Sequence, residues 1–285
     1  MKTRDDESAA VVSLGAMYFF SMGSAYLFTV LPRTLEEWGW TGAMIGGLFT
    51  LRKFTEALFI GMWASAADSS GGGRALIRAQ TAMGVAALLV LPWARSFPAV
   101  AISLVALSAT MGCALPLVDA LTLGRVGPGG YGSVRAWGTV GYGVIAGAAS
   151  VAGLALDYAA LAGLVPWAIL VAVVGAALVA WSLPQADAPS RERPSLGESM
   201  RLLANPELVV LFLLGAMHWA AQAPFNLFWV ALCEHRGVAA WVPGVGVVVG
   251  VACEVVILAA SARVLARGAP AQWLVVVFVV SVFRW

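Results

Sequence analysis

The chain of 285 residues is 61% hydrophobic and 11% charged, with a formal net charge of +2 and a mean hydropathy of +0.87. Soluble domains carry about a quarter charged residues, so this composition excludes an ordinary soluble domain and indicates a membrane protein. The first ten residues are polar and precede a long apolar run, which predicts a cytoplasmic tail rather than a cleaved signal peptide. The cysteines form no CxxC pair, so we expect reduced, buried thiols rather than a disulfide or metal set. They are Cys113, Cys233 and Cys253.

Apolar stretches recur along the chain at lengths close to the roughly 20 residues that a membrane helix needs. Nine are predicted, and the ninth is short. They are Leu14–Leu31, Gly42–Ala64, Ala75–Leu91, Phe97–Leu123, Arg135–Leu156, Leu161–Leu183, Leu208–Leu232, Val242–Ala262 and Ala271–Trp285.

The basic residues between these helices are unevenly distributed. With the N-terminus in the cytoplasm, ten fall on the cytoplasmic side and three on the other, and this bias predicts the orientation. The ten are Lys2, Arg4, Arg74, Arg78, Arg125, Arg191, Arg193, Arg201, Arg263 and Arg267, and the three are Arg33, Arg95 and Arg236.

A polar, proline-rich segment, Pro184–Pro206, follows the sixth predicted helix and is the longest break between helices. A linker after six helices is typical of transporters built from two helical halves. We therefore expect a six-helix N-terminal bundle in residues 1–183, a cytoplasmic linker in residues 184–206 and part of a second bundle, with helices seven to nine, in residues 207–285.

The segment Leu115–Gly147 places two apolar runs on either side of the turn-rich loop GRVGPGG. Asp119 lies just before this loop and Arg135 just after it, so a helical hairpin would bring the two opposite charges to one depth. A lone charge there costs about 2.5–3.5 kcal/mol, so the two are expected to pair or to face a polar cavity. Two interpretations stay open: a pair that binds solute or couples protons, and an ion pair that only fixes the hairpin.

Further polar residues are predicted near the middle of the membrane on the last three helices. Glu254 and Arg284 reach similar depths on neighbouring antiparallel helices. His218 precedes Gln222 and Asn226 on one face of helix seven, with a spacing of four residues. We expect a functional role for Glu254, whereas His218 is either functional or a buried, hydrogen-bonded residue.

Helix two carries Arg52, Lys53 and Glu56 at spacings that allow local pairing, so we interpret this cluster as structural. Tyr142 lies two turns from Arg135 on nearly the same face and is a candidate for lining a cavity. Phosphate-loop, HExxH, GxSxG and nucleic-acid-binding motifs are missing from the sequence. We therefore expect no enzyme, cofactor, metal site or nucleic-acid partner.

The segments LVDALTLG and YGSVRAWGTVGYGVIAG resemble the helix-four to helix-five signature of the lactose permease-like branch of the major facilitator superfamily. The likeness is greatest for its 3-phenylpropionate transporter group, which has a YGxxRxWGSxG-type run where this chain carries Thr139 in place of the serine. It continues through GAMHWAAQAPFNLFW, GVGVVVGVACEVVILAAS and VSVFRW. The resemblance implies an all-α membrane protein with the major facilitator fold.

The resemblance also implies roles for individual residues. Asp119 and Arg135 match the sugar-binding pair of the lactose permease, and Tyr142 falls where that permease stacks a tryptophan on the galactosyl ring. Glu254 and Arg284 match its helix-eight glutamate and helix-nine arginine, which implies a part in proton coupling.

His218 matches a histidine of the phenylpropionate group, so the sugar specificity does not carry over. Gln222 and Asn226 join it as candidate solute-binding residues. The superfamily's helix two–three motif, GxxxDRxGRR, is degraded here and retains Asp68 and Arg74, which we assign to a weakened gate loop.

We expect a multi-pass, monomeric protein of the bacterial inner membrane, in contact with lipid, that carries a small organic solute together with a proton by alternating access. An aromatic acid such as 3-phenylpropionate, a sugar or a nucleoside would each fit. The alternative is a non-transporting receptor, scaffold or truncated remnant. Because the resemblance implies about three more helices, we expect the chain to be incomplete at its C-terminus and to insert without net transport.

Overall fold

The computed structural model describes residues 4–70, 73–184, 201, 204–260, 263 and 267–283, and the regular secondary structure in these ranges is entirely helical. This confirms the predicted all-α fold. The helices are α1 (Arg4–Glu37), α2 (Gly42–Ser70), α3 (Gly73–Leu88), α4 (Phe97–Met111), α5 (Ala114–Ala152), α6 (Tyr158–Ala180), α7 (Pro206–His235), α8 (Val242–Ala259) and α9 (Pro270–Phe283).

The helix ends differ from the apolar stretches because polar residues extend several helices beyond the apolar run. The first helix, for example, runs from Arg4 to Glu37 rather than from Leu14 to Leu31. Local capping fixes other ends: the Asp157 carboxylate accepts a hydrogen bond from the backbone N–H of Ala160 at 2.8 Å. Such a side chain satisfies one of the free N–H groups in the first turn.

The predicted fourth helix is interrupted by a turn at Gly112 and Cys113, so it comprises α4 and the first part of α5. The sequence predicts that the chain reverses direction in the loop GRVGPGG. In the structure a single non-helical residue inside α5 makes this reversal, Gly127, with φ 66° and ψ 177°. A positive φ is accessible to glycine at little cost, and the following Pro128 suits the first turn of a new helix. The hairpin is therefore tighter than the predicted loop.

Four helical segments in the described part of the chain are long and apolar enough to cross a membrane: Ser8–Glu37, Phe97–Ala152, Tyr158–Ala180 and Pro206–His235. The second has 56 residues and would measure about 84 Å if straight. The turn at Gly112 and Cys113 and the bend at Gly127 both interrupt it, and the chain folds back at Gly127, since Asp119 and Arg135 on either side are in contact. Val242–Leu258 is a shorter apolar helix.

Helix α1 is the centre of the packing, since it lies against α5 and α6 along its length and meets α7 at one end. Two clusters of buried side chains surround it. One lies toward the Glu37 end and includes Leu31, Leu35, Leu48 and Leu104. The other lies toward the Arg4 end and includes Leu14, Met17, Tyr18, Val118 and Ala176.

Helix α8 packs on α5, and the small residues of α5 allow this close approach. A methyl group at Gly143 of α5 would lie 2.6 Å from Val251 Cγ1 of α8. One at Gly153, directly after α5, would lie 2.8 Å from the backbone of Ala240, just before α8. The outer face of α7 is apolar, with Phe212, Met217 and Trp219 between 60% and 69% exposed, as expected for a helix that faces lipid.

Candidate functional site

Asp119 lies at the centre of a polar cluster between α1 and the two arms of the α5 hairpin. The Tyr18 hydroxyl donates to its Oδ1 at 2.6 Å, and the Tyr131 hydroxyl donates to the same oxygen at 2.9 Å. Arg135 Nε lies 3.7 Å from that oxygen. All three contacts fall on the same oxygen, Oδ1.

The Arg135 side chain is held by neighbours on α1 and on its own helix. Its guanidinium carbon lies 5.0 Å from the centre of the Tyr18 ring, and Nη2 lies 3.9 Å from Met22 Sδ. A methyl group at Gly138 would lie 2.8 Å from Arg135 Nη1. Gly138 therefore provides the space in which the guanidinium lies.

The two charges remain partly accessible. The Asp119 side chain is 32% exposed and the Arg135 side chain is 27% exposed, whereas Tyr18 is fully buried. A charge pair held by a buried phenol and open on one side can offer both a donor and an acceptor to a small polar molecule.

A second polar contact joins α5 to α8. The hydroxyl of Thr139, one turn beyond Arg135, donates to Glu254 Oε1 at 3.1 Å. Thr139 is buried, with 5% of its surface exposed. Arg284, the predicted partner of Glu254, lies outside the described residues.

The remaining predicted solute-binding residues lie apart from this cluster. Tyr142 packs edge-on against Tyr26 of α1, with ring centroids 5.4 Å apart. The ring of His218 lies 5.8 Å from that of Phe278 on α9. Gln222 and Asn226 follow His218 along α7 and are half-buried.

The predicted gate residues lie where α2 and α3 meet. Asp68 is exposed near the end of α2. Arg74, at the start of α3, donates to the carbonyl oxygen of Leu183 at 3.5 Å. Arg74 therefore connects α3 to the segment that follows α6.

At the Glu37 end of the molecule, α1 and α7 are joined by an ion pair. Arg33 donates from Nη2 to Glu234 Oε1 at 2.8 Å and also pairs through Nε with Oε2 of the same carboxylate. The Tyr158 hydroxyl donates to the carbonyl oxygen of Val238 at 3.0 Å, which joins α6 to the turn between α7 and α8. The first six helices and the next two are thus bonded together at this end.

Sequence reasoning missed Tyr18, Tyr131 and the pair of Arg33 with Glu234. A tyrosine in an apolar helix predicts only burial, and no sequence signal brings Tyr18 to Asp119, which is 101 residues away. Tyr131 lies in the segment YGSVRAW that carries the family resemblance, but the sequence predicts no role for it. Among the described residues, no group of three or more His, Cys, Asp or Glu side chains could hold a metal ion.

An all-helical bundle with an apolar outer face and a charged cluster between its helices defines a multi-pass membrane protein. The MFS_1 like family model matches residues 11–285, so the chain belongs to this family of major facilitator transporters. Such a family transports small solutes and is not enzymatic.

Similar proteins agree with this assignment. The maltose permease of Geobacillus stearothermophilus is 25% identical over 272 residues, which cover 94% of this chain and 68% of the permease. A mutant form of the nucleoside transporter NupG has a similar fold, with a TM-score of 0.71 at 15% identity, covering 90% of this chain and 68% of NupG.

A bacterial homologue of the human lysosomal transporter Spinster, in an inward-facing and unoccupied conformation, has a TM-score of 0.59 at 16% identity. This match covers 85% of the chain and 59% of the homologue. At these identities the solved structures support the fold alone.

Proposed function

We propose that this transporter binds its solute between the first six helices and the helices that follow, with Asp119 and Arg135 as the central contacts. The observation that carries the proposal is the cluster on Asp119 Oδ1, in which Tyr18, Tyr131 and Arg135 meet. Partial exposure of both side chains leaves the pair accessible to a solute, which a pair that only fixes the hairpin does not require. Gln222 and Asn226, which lie apart from this cluster on α7, are proposed to contact the solute from the other group of helices.

The chain lies in the inner membrane of a bacterium with its N-terminus in the cytoplasm, in keeping with the ten-to-three bias of basic residues. Residues 1–183 and 207–285 act as two bodies joined by the linker 184–206. The protein works as a monomer. The Glu37 end is then periplasmic, and the pair of Arg33 with Glu234 closes that side.

This arrangement corresponds to an inward-facing state. Contacts between the two groups of helices run from Arg33 and Glu234 at the periplasmic end to Thr139 and Glu254 near mid-depth. Asp119 lies further toward the cytoplasmic end and keeps part of its surface exposed. Transport would require the periplasmic contacts to break and the cytoplasmic ends of the helices to close.

Glu254 carries the coupling proton in this account, with Arg284 as its predicted partner. A hydrogen bond from Thr139 to a carboxylate is roughly twice as strong as one to a neutral acid. Protonation of Glu254 therefore weakens the link between α5 and α8. Loss of that link at mid-depth would favour rotation of one group of helices against the other.

The solute is a small organic molecule with polar groups. Three classes of solute are candidates. The likeness to the 3-phenylpropionate group suggests aromatic acids. The maltose permease suggests sugars, and NupG suggests nucleosides.

Equilibrium binding tests the proposal. The full chain, in lipid nanodiscs, is titrated with radiolabelled 3-phenylpropionate, maltose and uridine. Saturable binding of one of them, displaced by the unlabelled compound, is the expected result. Absence of saturable binding by all three would favour the non-transporting alternative for this chain.

A further inference from the structure

Arg52 is a cation on the packed face of α2 that the transport account leaves without a role. It lies ten residues from the start of α2 at Gly42, about 15 Å along the helix and halfway across a core of roughly 30 Å. A charge at this depth is costly unless it is paired, and intramembrane cations mark functional sites. The depth also excludes a lipid headgroup as its partner.

Its nearest acidic neighbour in the sequence, Glu56, is shared between Arg52 and Lys53. Glu56, one turn along α2, accepts a hydrogen bond from Lys53 Nζ at 2.9 Å. A methyl group at Gly112 of α4 would lie 2.5 Å from Glu56 Cγ, so the stem of Glu56 packs directly on α4. In the described part of the chain, Arg52 Nε is enclosed and finds no hydrogen-bond partner.

The guanidinium of Arg52 is nevertheless held in one orientation. Its central carbon lies 3.9 Å from the centre of the Phe28 ring on α1, and Phe28 is 8% exposed. An aromatic ring occupies a face of the guanidinium and does not compete for the N–H groups, which lie in its plane. The guanidinium is thus positioned, and its Nε–H finds no hydrogen-bond partner in the described part of the chain.

We propose that Arg52 is an anion subsite that binds the carboxylate of an acidic solute. A planar fork of N–H donors matches a carboxylate in a two-point interaction. A single positive charge, offset in part by the carboxylate of Glu56, suits a monovalent carboxylate better than a divalent phosphate. Arg52 as a whole is half-buried, so part of the residue stays accessible. Helix α2 packs mainly on α4 and touches α1 less.

The subsite is separate from the Asp119 cluster. Phe28 and Tyr18, which contact Arg52 and Arg135 respectively, are ten residues apart on α1, or about 15 Å along the helix. A small solute cannot span both. The inference rests on the proposed transport function and narrows its solute to an acid that moves between two cationic positions.

The test measures the melting temperature of the full chain in detergent with matched acids and amides. The probes are benzoate with benzamide and 3-phenylpropionate with 3-phenylpropionamide. At least one carboxylate should raise the melting temperature of the wild type in a dose-dependent way, and its amide should not. Arg52→Gln should raise the carboxylate concentration needed for the effect at least tenfold. Arg236→Gln, which removes one exposed positive charge directly after α7, should behave as wild type.

Arg52→Lys keeps the charge but loses the planar set of N–H donors, so it should weaken the stabilisation by carboxylate several-fold. It serves as the test variant if Arg52→Gln does not fold. The proposal is overturned if no carboxylate stabilises the wild type, or if the tested Arg52 variants respond as the wild type does. Binding of maltose or uridine that depends on Asp119, without a carboxylate effect, would reject this subsite and leave the proposed transport function intact.

Discussion

Arg33 on α1 and Glu234 on α7 form a two-point ion pair across 201 residues of sequence. The side chains are 14% and 30% exposed, and Arg33 also contacts Glu37 of its own helix. A pair that bridges separate helices in a partly buried position contributes more than an exposed pair on one helix, because less of its attraction is screened.

Glu234→Gln should therefore open the Glu37 end. Loss of about 1–2 kcal/mol of interaction free energy shifts the equilibrium between the closed and open forms of this end by roughly 5–30-fold. Spin labels at Ser96 and Arg236, in a Cys253→Ser background, should gain a population at longer distance. Glu37→Gln, which removes only the contact within α1, is the control. Identical distance distributions for both variants would remove the pair from the closure of this end.

Tyr18→Phe should disturb the site more than Tyr131→Phe. Tyr18 is fully buried and donates to Asp119 at 2.6 Å. A hydrogen bond to a charged group contributes about 1.5–3 kcal/mol, so Tyr18→Phe should lower the free energy of unfolding by that order. Tyr131 is half-buried, and its loss should cost less because water can replace the hydroxyl. Denaturant titrations in detergent compare the two, and a larger loss for Tyr131→Phe contradicts the prediction.

Gly138→Ala should weaken solute binding while the fold is kept. The added methyl would meet Arg135 Nη1 and Met22 Cγ, both at 2.8 Å. The flexible ends of these side chains can move, so the expected result is a displaced guanidinium rather than an unfolded helix. Gly147→Ala is the matched control, since its methyl would make an ordinary contact of 3.6 Å with Val248. Equal affinities for the two variants would mean that Gly138 does not position Arg135.

Thr139→Val and Glu254→Gln should change the pH dependence of solute binding. Valine has nearly the shape of threonine but cannot donate to Glu254, and glutamine cannot exchange the proton. Both variants should reduce the change in affinity with pH, whereas Thr139→Ser keeps the hydrogen-bond donor and should retain that change. A full pH response in Glu254→Gln would exclude Glu254 as the proton carrier.

The sequence predicts the features that depend on short separations. The contact between Asp119 and Arg135 could be predicted because turn residues between them indicate a hairpin. In the structure, Arg135 Nε lies 3.7 Å from Asp119 Oδ1. The pair of Arg33 with Glu234 could not be predicted, because each residue lies near a helix end, where charged residues are common. Their contact is decided by how α7 packs on α1.

The break at Gly112 and Cys113 was also missed, because apolar residues continue on both sides of it. Hydropathy detects a long apolar segment but not a turn inside it. For the same reason Tyr18 was assigned no role: its position in an apolar helix predicts burial and says nothing about the hydroxyl.

The central claim is that Asp119 and Arg135 bind the solute, and binding by the two single variants tests it most directly. Asp119→Asn and Arg135→Gln are titrated in nanodiscs with labelled 3-phenylpropionate, maltose and uridine beside the wild type, with Glu207→Gln on the exposed first turn of α7 as the control. Both site variants should insert normally and lose at least tenfold in affinity for the solute that the wild type binds, while Glu207→Gln keeps it. Wild-type affinity in both site variants would contradict the account.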